Sequence, residues 1–168
     1  MLMADTLIKC GLEKDRFIIK INNRKIFQGI LEFFDIKDPK QSLTILRSID
    51  KFQSVGKKGV LELLTKGRLD KSGDFTIGAN LKKEIAEEIF ELLSADSIVR
   101  DKKTGVYRLS AGNALFKIEN DTFLEGVKEV DTILNYLGEN KEVNIMSTDL
   151  SFEQDMINFQ MDLSVVRG

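Results

Sequence analysis

Residues 17–34 read Phe-Ile-Ile-Lys-Ile-Asn-Asn-Arg-Lys-Ile-Phe-Gln-Gly-Ile-Leu-Glu-Phe-Phe, and a change of period inside this stretch decides the class of fold. Up to Asn22 the residues are mostly β-branched or aromatic, with Ile19 and Ile21 on one side and Lys20 and Asn22 on the other, the alternation of a strand. From Arg24 the apolar positions Ile26, Phe27, Ile30, Leu31 and Phe34 recur at threes and fours, so a core-facing helix follows directly. Upstream, Leu2, Met3, Leu7 and Ile8 with Gly11 as a stop predict a helix ending near Cys10.

Downstream, Asp38-Pro39-Lys40-Gln41 is a helix start: Asp38 caps, Pro39 suits the first helical position, and Gln41 reaches back as in a capping box. Leu43, Leu46, Ile49 and Phe52 continue as its expected buried stripe, and a short helix through Val60, Leu61 and Leu64 stops at Gly67. Residues 68–80 lack a period and are rich in turn formers, so they are expected to form a long loop near a boundary between lobes. After Asn80 as a cap, Leu81, Ile85, Ile89 and Leu92 mark an amphipathic helix. Ile98–Arg100 and Val106–Leu109 pair as a hairpin, Thr122 and Glu125 frame a capping box for a helix ending at Gly138, and residues 157–161 alternate as a strand.

Composition narrows the chemistry. One cysteine, Cys10, and no histidine among 168 residues exclude disulfide frameworks, zinc fingers and Ser-His-Asp triads. No apolar run approaches the roughly 20 residues of a membrane span, and the N-terminal stretch lacks a signal-peptide cleavage site, so the expected compartment is the cytoplasm. Asp70 and Asp74 around Gly73 fail the calcium-loop spacing, and Gly56-Lys57-Lys58-Gly59 lacks the spacing of a phosphate loop; no metal site is expected. Arg100, Lys102, Lys103 and Arg108 around Tyr107 form the densest basic cluster, able to touch phosphates while the ring stacks, although an exposed hairpin tip gives the same composition. Taken alone, the residues describe an α+β chain without an autonomous active site.

Several segments nonetheless match a known family in order. Residues 17–25 and the helix through Gly29-Ile30-Leu31 resemble the strand–helix unit after motif 2 of histidyl-tRNA synthetases, which read Ile-x-Ile-Asn-x-Arg-Lys there. Leu46-Arg47-Ser48-Ile49-Asp50-Lys51 is similar to the family's Leu-Arg-x-Ile/Leu-Asp-Lys helix, and Ser72-Gly73-Asp74-Phe75-Thr76-Ile77-Gly78-Ala79 to a loop of one bacterial subgroup. Residues 162–168, Asp-Leu-Ser-Val-Val-Arg-Gly, resemble the start of the second histidine-specific signature, with Leu163 where the family usually has proline.

The resemblance implies a fragment between motif 2 and that signature. Its expected fold is part of the class II antiparallel-sheet catalytic domain plus a mostly helical insertion domain. Residues 1–54 would be catalytic-domain strand and helices, 55–147 the insertion domain on the tRNA acceptor-stem side, and 148–168 the return strand. Arg167 matches the catalytic arginine that lies against the α-phosphate of ATP, where a fixed guanidinium stabilises developing charge. Lys57, Lys58, Arg100, Lys102, Lys103 and Arg108 are the expected RNA-facing cations. ATP and Mg2+ belong to the parent enzyme, with none expected on the fragment; the partners are the acceptor stem of tRNA(His) and a second copy of the parent. The lower-ranked readings are the synthetase-like regulatory subunit of ATP phosphoribosyltransferase and a free-standing RNA-binding module.

Overall fold

A computed structural model describes residues 2–70, 72–93, 97–100, 107–111, 114–138, 143–146 and 157–161. Helix α1 (Leu2–Lys9) leads into strand β1 (Ile18–Ile21), then helices α2 (Arg24–Phe33), α3 (Pro39–Asp50) and α4 (Phe52–Leu64). Strands β2 (Gly67–Leu69) and β3 (Phe75–Ile77) precede α5 (Lys83–Leu93), and β4 (Ser97–Arg100), β5 (Tyr107–Ala111) and β6 (Ala114–Lys117) precede α6 (Asp121–Gly138). Strands β7 (Val143–Met146) and β8 (Ile157–Met161) close the order, giving the expected α+β mixture.

The local signals in residues 17–34 hold. Ile18 and Lys20 are exposed while Ile19 and Ile21 are half-buried, and the Asn23 side chain caps α2 by accepting from the Lys25 amide at 2.9 Å. The sheet around β1 differs from the expected antiparallel layer: β8 lies between β1 and β7, and both pairings are parallel. Parallel neighbours need a long crossover, and between β1 and β8 that crossover includes all the intervening helices and the other two sheets. Ala4 and Leu137 with Ile8, Phe17, Ile19 and Ile21 form a small apolar cluster joining α1 and α6 to β1.

The larger core draws on α2 through α6 and on β5, from Ile26 and Ile45 to Val60, Ile89, Leu109 and Phe123, so residues on both sides of position 54 share it. Its centre is the crossing of α2 and α6. A Cβ on Gly29 would fall 2.5 Å from the Phe123 Cβ and 2.6 Å from its Cα, and one on Gly126 would fall 2.8 Å from the Ile26 amide. The Asn120 amide donates to the Gly29 carbonyl at 2.7 Å. Beside them the Lys25 ammonium donates to Glu125 at 2.8 Å and Glu129 at 2.6 Å, and the Asn23 side chain also donates to Glu129.

Five local expectations are corrected. The Gln41 side chain does not reach back; it donates to the Ala79 carbonyl at 2.8 Å, a tertiary bond that spacing cannot reveal. Leu43 is exposed, because α3 turns Ile45, Ser48 and Ile49 inward, and Phe52 is exposed as the first residue of α4 instead of continuing that stripe. The cap of α6 is Asn120, which accepts from the Phe123 amide at 2.8 Å; Glu125, instead of closing a box with Thr122, pairs with Lys25. Residues 68–80 contain the β2–β3 hairpin, and Asn80 has φ 55°, a left-handed backbone in place of the extended one a cap requires. Among the described residues no helix is long and apolar enough to cross a membrane.

Gly29→Ala is expected to lower stability by about 1–3 kcal/mol, because the added methyl meets Phe123 backbone that cannot move aside; urea denaturation measures it. A second expectation concerns pH. The hydrogen bonds that Lys25 donates to Glu125 and Glu129 raise its pKa above its ordinary 10.5, and the bonds that Glu129 accepts from Lys25 and Asn23 lower its pKa below its ordinary 4.5. The lysine contribution is complete below its ordinary value and fades as pH rises through the raised one; the glutamate contribution is complete above its ordinary value and fades as pH falls through the lowered one. Thermal midpoints of the protein and of Glu129→Gln should therefore differ at neutral pH and converge in acid.

Candidate nucleic-acid interface

Helix α4 is two helical pieces joined at Gly56, whose φ of 66° and ψ of 179° interrupt the hydrogen-bond ladder. Such a φ suits glycine, the residue without a Cβ to collide with the following carbonyl. The restart sends Lys57 and Lys58 out from the start of the second piece, and both are exposed. The Lys57 ammonium sits 5.2 Å from the centroid of the Phe90 ring on α5, against which Phe52 also packs. Lys58 borders a shallow groove with Glu62, Thr65, Lys83 and Glu87 between α4 and α5.

The far end of α4 holds the hairpin. Its last carbonyls, on Leu63, Leu64 and Thr65, accept from the amides of Ala79 at 2.9 Å, Leu81 at 3.0 Å and Asn80 at 2.7 Å, so the chain leaving β3 satisfies acceptors that a helix end leaves open. The turn between the strands is organised by Asp70, whose carboxylate accepts from the Ser72 hydroxyl at 2.6 Å, the Ser72 amide at 2.9 Å and the Asp74 amide at 3.0 Å. The bond from the Ser72 side chain, followed by those from the backbone amides, holds the Asp70 carboxyl below its ordinary range.

Arg68 crosses from β2 back onto α4. A Cβ on Gly59 would fall 2.6 Å from its Nη1, so this glycine in the middle of a helix makes room for the guanidinium. The Arg68 Nε is buried without a hydrogen-bond partner, 3.7 Å from a Glu62 carboxylate oxygen. Lys51, Ser54, Arg68, Asp70, Ser72 and Thr76 line an open concavity of about 630 Å3 between the start of α4 and the hairpin. From Lys51 to Arg68 the five cations Lys51, Lys57, Lys58, Lys66 and Arg68 oppose one carboxylate, Glu62, a local charge of +4 in a chain whose net charge is −2. A field of that sign attracts a polyanion.

Among the described residues the expected cations do not converge. Lys57 and Lys58 lie on the side of α4 that meets α5, Lys51 and Arg68 line the concavity towards the hairpin, and Arg108 is half-buried in β5, paired in register with Val99 and Lys117. Arg100 pairs in register with Tyr107. Tyr107 is 8% exposed and its hydroxyl lies 3.3 Å from Asp131, so its ring does not serve as a stacking surface. Lys102, Lys103 and Arg167 lie outside the described residues. Lys51, Lys66 and Arg68 escape a reading of the sequence because their grouping depends on the hairpin folding back; the signal that points to them is the net charge of residues 51–68.

A histidine–tRNA ligase of Bartonella bacilliformis is 35% identical over 171 residues, covering 100% of this chain and 31% of that protein. The Bartonella henselae histidine–tRNA ligase is 37% identical over 173 residues, again 100% of this chain and 31% of the relative. The chain belongs to the histidine–tRNA ligase family. A Ruegeria histidine–tRNA ligase is 42% identical over 97 residues, 56% of this chain and 19% of that relative. The chain thus spans about a third of the length of the full-coverage histidine–tRNA ligases it matches. No family model and no solved structure matches it.

Gly59→Ala should lower stability although alanine is the better helix former by about 1 kcal/mol. Its methyl meets Arg68 Nη1 and Val55 Cβ, both at 2.6 Å. Chemical denaturation of Gly59→Ala with and without Arg68→Ala checks this: the loss should shrink when the guanidinium is removed.

Proposed function

We propose that this chain is the portion of a histidine–tRNA ligase that contributes an acceptor-stem contact, in a parent enzyme that activates histidine with ATP and transfers it to the 3′ end of tRNA(His). The observation that carries the reading is the +4 charge between Lys51 and Arg68 on a net-acidic chain of this family. Lysines and arginines at such a surface neutralise phosphates, position the RNA and leave base identity to other groups. Lys57 and Lys58 hold the duplex backbone, and Arg100, Lys102, Lys103 and Arg108 meet phosphates at a second, separate point.

The regions 1–54, 55–147 and 148–168 differ in role, the first supporting the catalytic domain, the second meeting RNA as the insertion domain and the third returning toward the active site. Helices from the first two regions share a core, so this division does not follow a break in packing. Arg167 acts in the parent at the α-phosphate of ATP, where a planar guanidinium offers two parallel hydrogen bonds to the oxygens gaining charge. Among the described residues no group of carboxylates is arranged to hold a metal ion. Bound ATP and Mg2+ would supply, from elsewhere in the parent, the adenylyl group that activates histidine, with pyrophosphate leaving. The parent works as a homodimer in the cytoplasm.

Two measurements test the reading. Binding of a histidine-tRNA acceptor-stem RNA should weaken steeply with salt, and Lys57→Ala with Lys58→Ala should make the slope of log K against log salt shallower by about 0.9 for each phosphate no longer neutralised. Salt-independent binding, or none, overturns the RNA assignment. Histidine-dependent pyrophosphate exchange should be absent with the 168-residue chain alone; robust exchange overturns its reading as an incomplete portion.

A further inference from the structure

The β2–β3 hairpin inverts the usual distribution of polar and apolar side chains. Its register places Arg68 opposite Thr76 and Leu69 opposite Phe75, with Gly67 opposite Ile77. Facing residues share a side of the ladder, so Arg68 and Thr76 form one face, half-buried and bordering the concavity, while Leu69, Phe75 and Ile77 form the other. That second face is open: Leu69 is 61%, Phe75 59% and Ile77 78% exposed. Solvent-facing strands ordinarily carry charge to prevent unwanted pairing, and this one carries three large apolar residues instead.

We propose that this face is a stacking platform for an unpaired nucleotide of an RNA whose phosphates are held by the α4 cations. The inference rests on the RNA-binding reading above and extends it from phosphates to a base. The choice of occupant follows from charge. The platform is the outer side of the strand whose inner side presents Arg68, with Lys51 across the concavity, and it is attached to the +4 stretch from Lys51 to Arg68. A nucleotide supplies both kinds of group, an anionic phosphate for these cations and an uncharged aromatic base for the platform, with its backbone rounding the edge of the short hairpin. Phe75 offers a π-face to any base, and Leu69 and Ile77 extend the dry surface beside it. The platform has no hydrogen-bonding side chain to read a base edge, so it would accept any base by its ring face.

The hairpin suits this role because it is fixed at its base and short. The amides of Ala79, Asn80 and Leu81 tie it to the end of α4, and the Gln41 side chain donates to Ala79. A platform held in this way loses little freedom when a base settles on it.

The test uses the 168-residue chain with two RNAs, a short blunt duplex and the same duplex bearing a single-stranded 3′ extension that contains a fluorescent purine analogue. The extension should tighten binding by about tenfold, within the range for one stacked base, and change the analogue's emission. Phe75→Ala should abolish both effects and leave the salt slope and the affinity for the blunt duplex unchanged; Phe75→Trp should preserve them. Equal affinity for the two RNAs overturns the platform while leaving the phosphate-binding reading intact. Failure to bind either RNA overturns both. If sedimentation shows the chain self-associating, and Phe75→Ala dissociates it without affecting RNA binding, the face belongs to a second copy and the platform is overturned.

Discussion

The tightest constraint in the molecule is the distance between α2 and α6. Gly29 lies against the backbone of Phe123 and Gly126 against the amide of Ile26, so each helix supplies the gap that the other fills. With the helices this close, Phe123, Ile26 and Ile30 are fully buried, and the Asn120 side chain can reach the Gly29 carbonyl while capping α6. The same approach brings Lys25 to two glutamates on α6. These largely exposed charge pairs add little stability by themselves. The far end of α6 carries Leu137 to the cluster beneath β1, linking the helix pair to the parallel sheet.

A different constraint shapes the cationic side. Gly56 ends one helical piece and starts another, while Gly59 makes room for a guanidinium arriving from the hairpin. Glycines in a helix cost stability, and two of them within four residues make sense when each meets a geometric need. The first allows the turn from which Lys57 and Lys58 project. The second seats Arg68, whose Nε is left without a hydrogen bond, 3.7 Å from the Glu62 carboxylate. Cations held in place on a net-acidic chain suit a polyanion better than scattered surface lysines would, since less side-chain freedom is given up on binding.

Family membership and local geometry address different scales. The relatives are histidine–tRNA ligases, of which this chain spans about a third, and their similarity says nothing about which cations meet in space. The geometry puts Lys51 and Arg68 on one concavity, Lys57 and Lys58 on the α5 side of α4, and Arg108 in a separate sheet. Tyr107, the aromatic residue that charge clustering singled out, is buried against Asp131, whereas Phe75 is exposed. Strand propensity alone cannot distinguish the two, because it does not report which side of a short strand meets a neighbour.

Elements with strong local causes were legible in the chain itself. The period change at residues 22–24 marked β1 and α2, Asp38 and Pro39 marked the start of α3, and alternation marked β8, because side-chain period and caps act within a few residues. The absence of histidine and the lone cysteine likewise limited the chemistry before any fold was known. Tertiary structure decided the parallel order of β1, β8 and β7, the close crossing of α2 and α6, the outward face of a hairpin with three-residue strands, and the partners of Gln41 and Glu125. Each of these depends on residues far apart in the chain coming together, with a free energy that arises from packing and desolvation once the helices meet, and no local period encodes them.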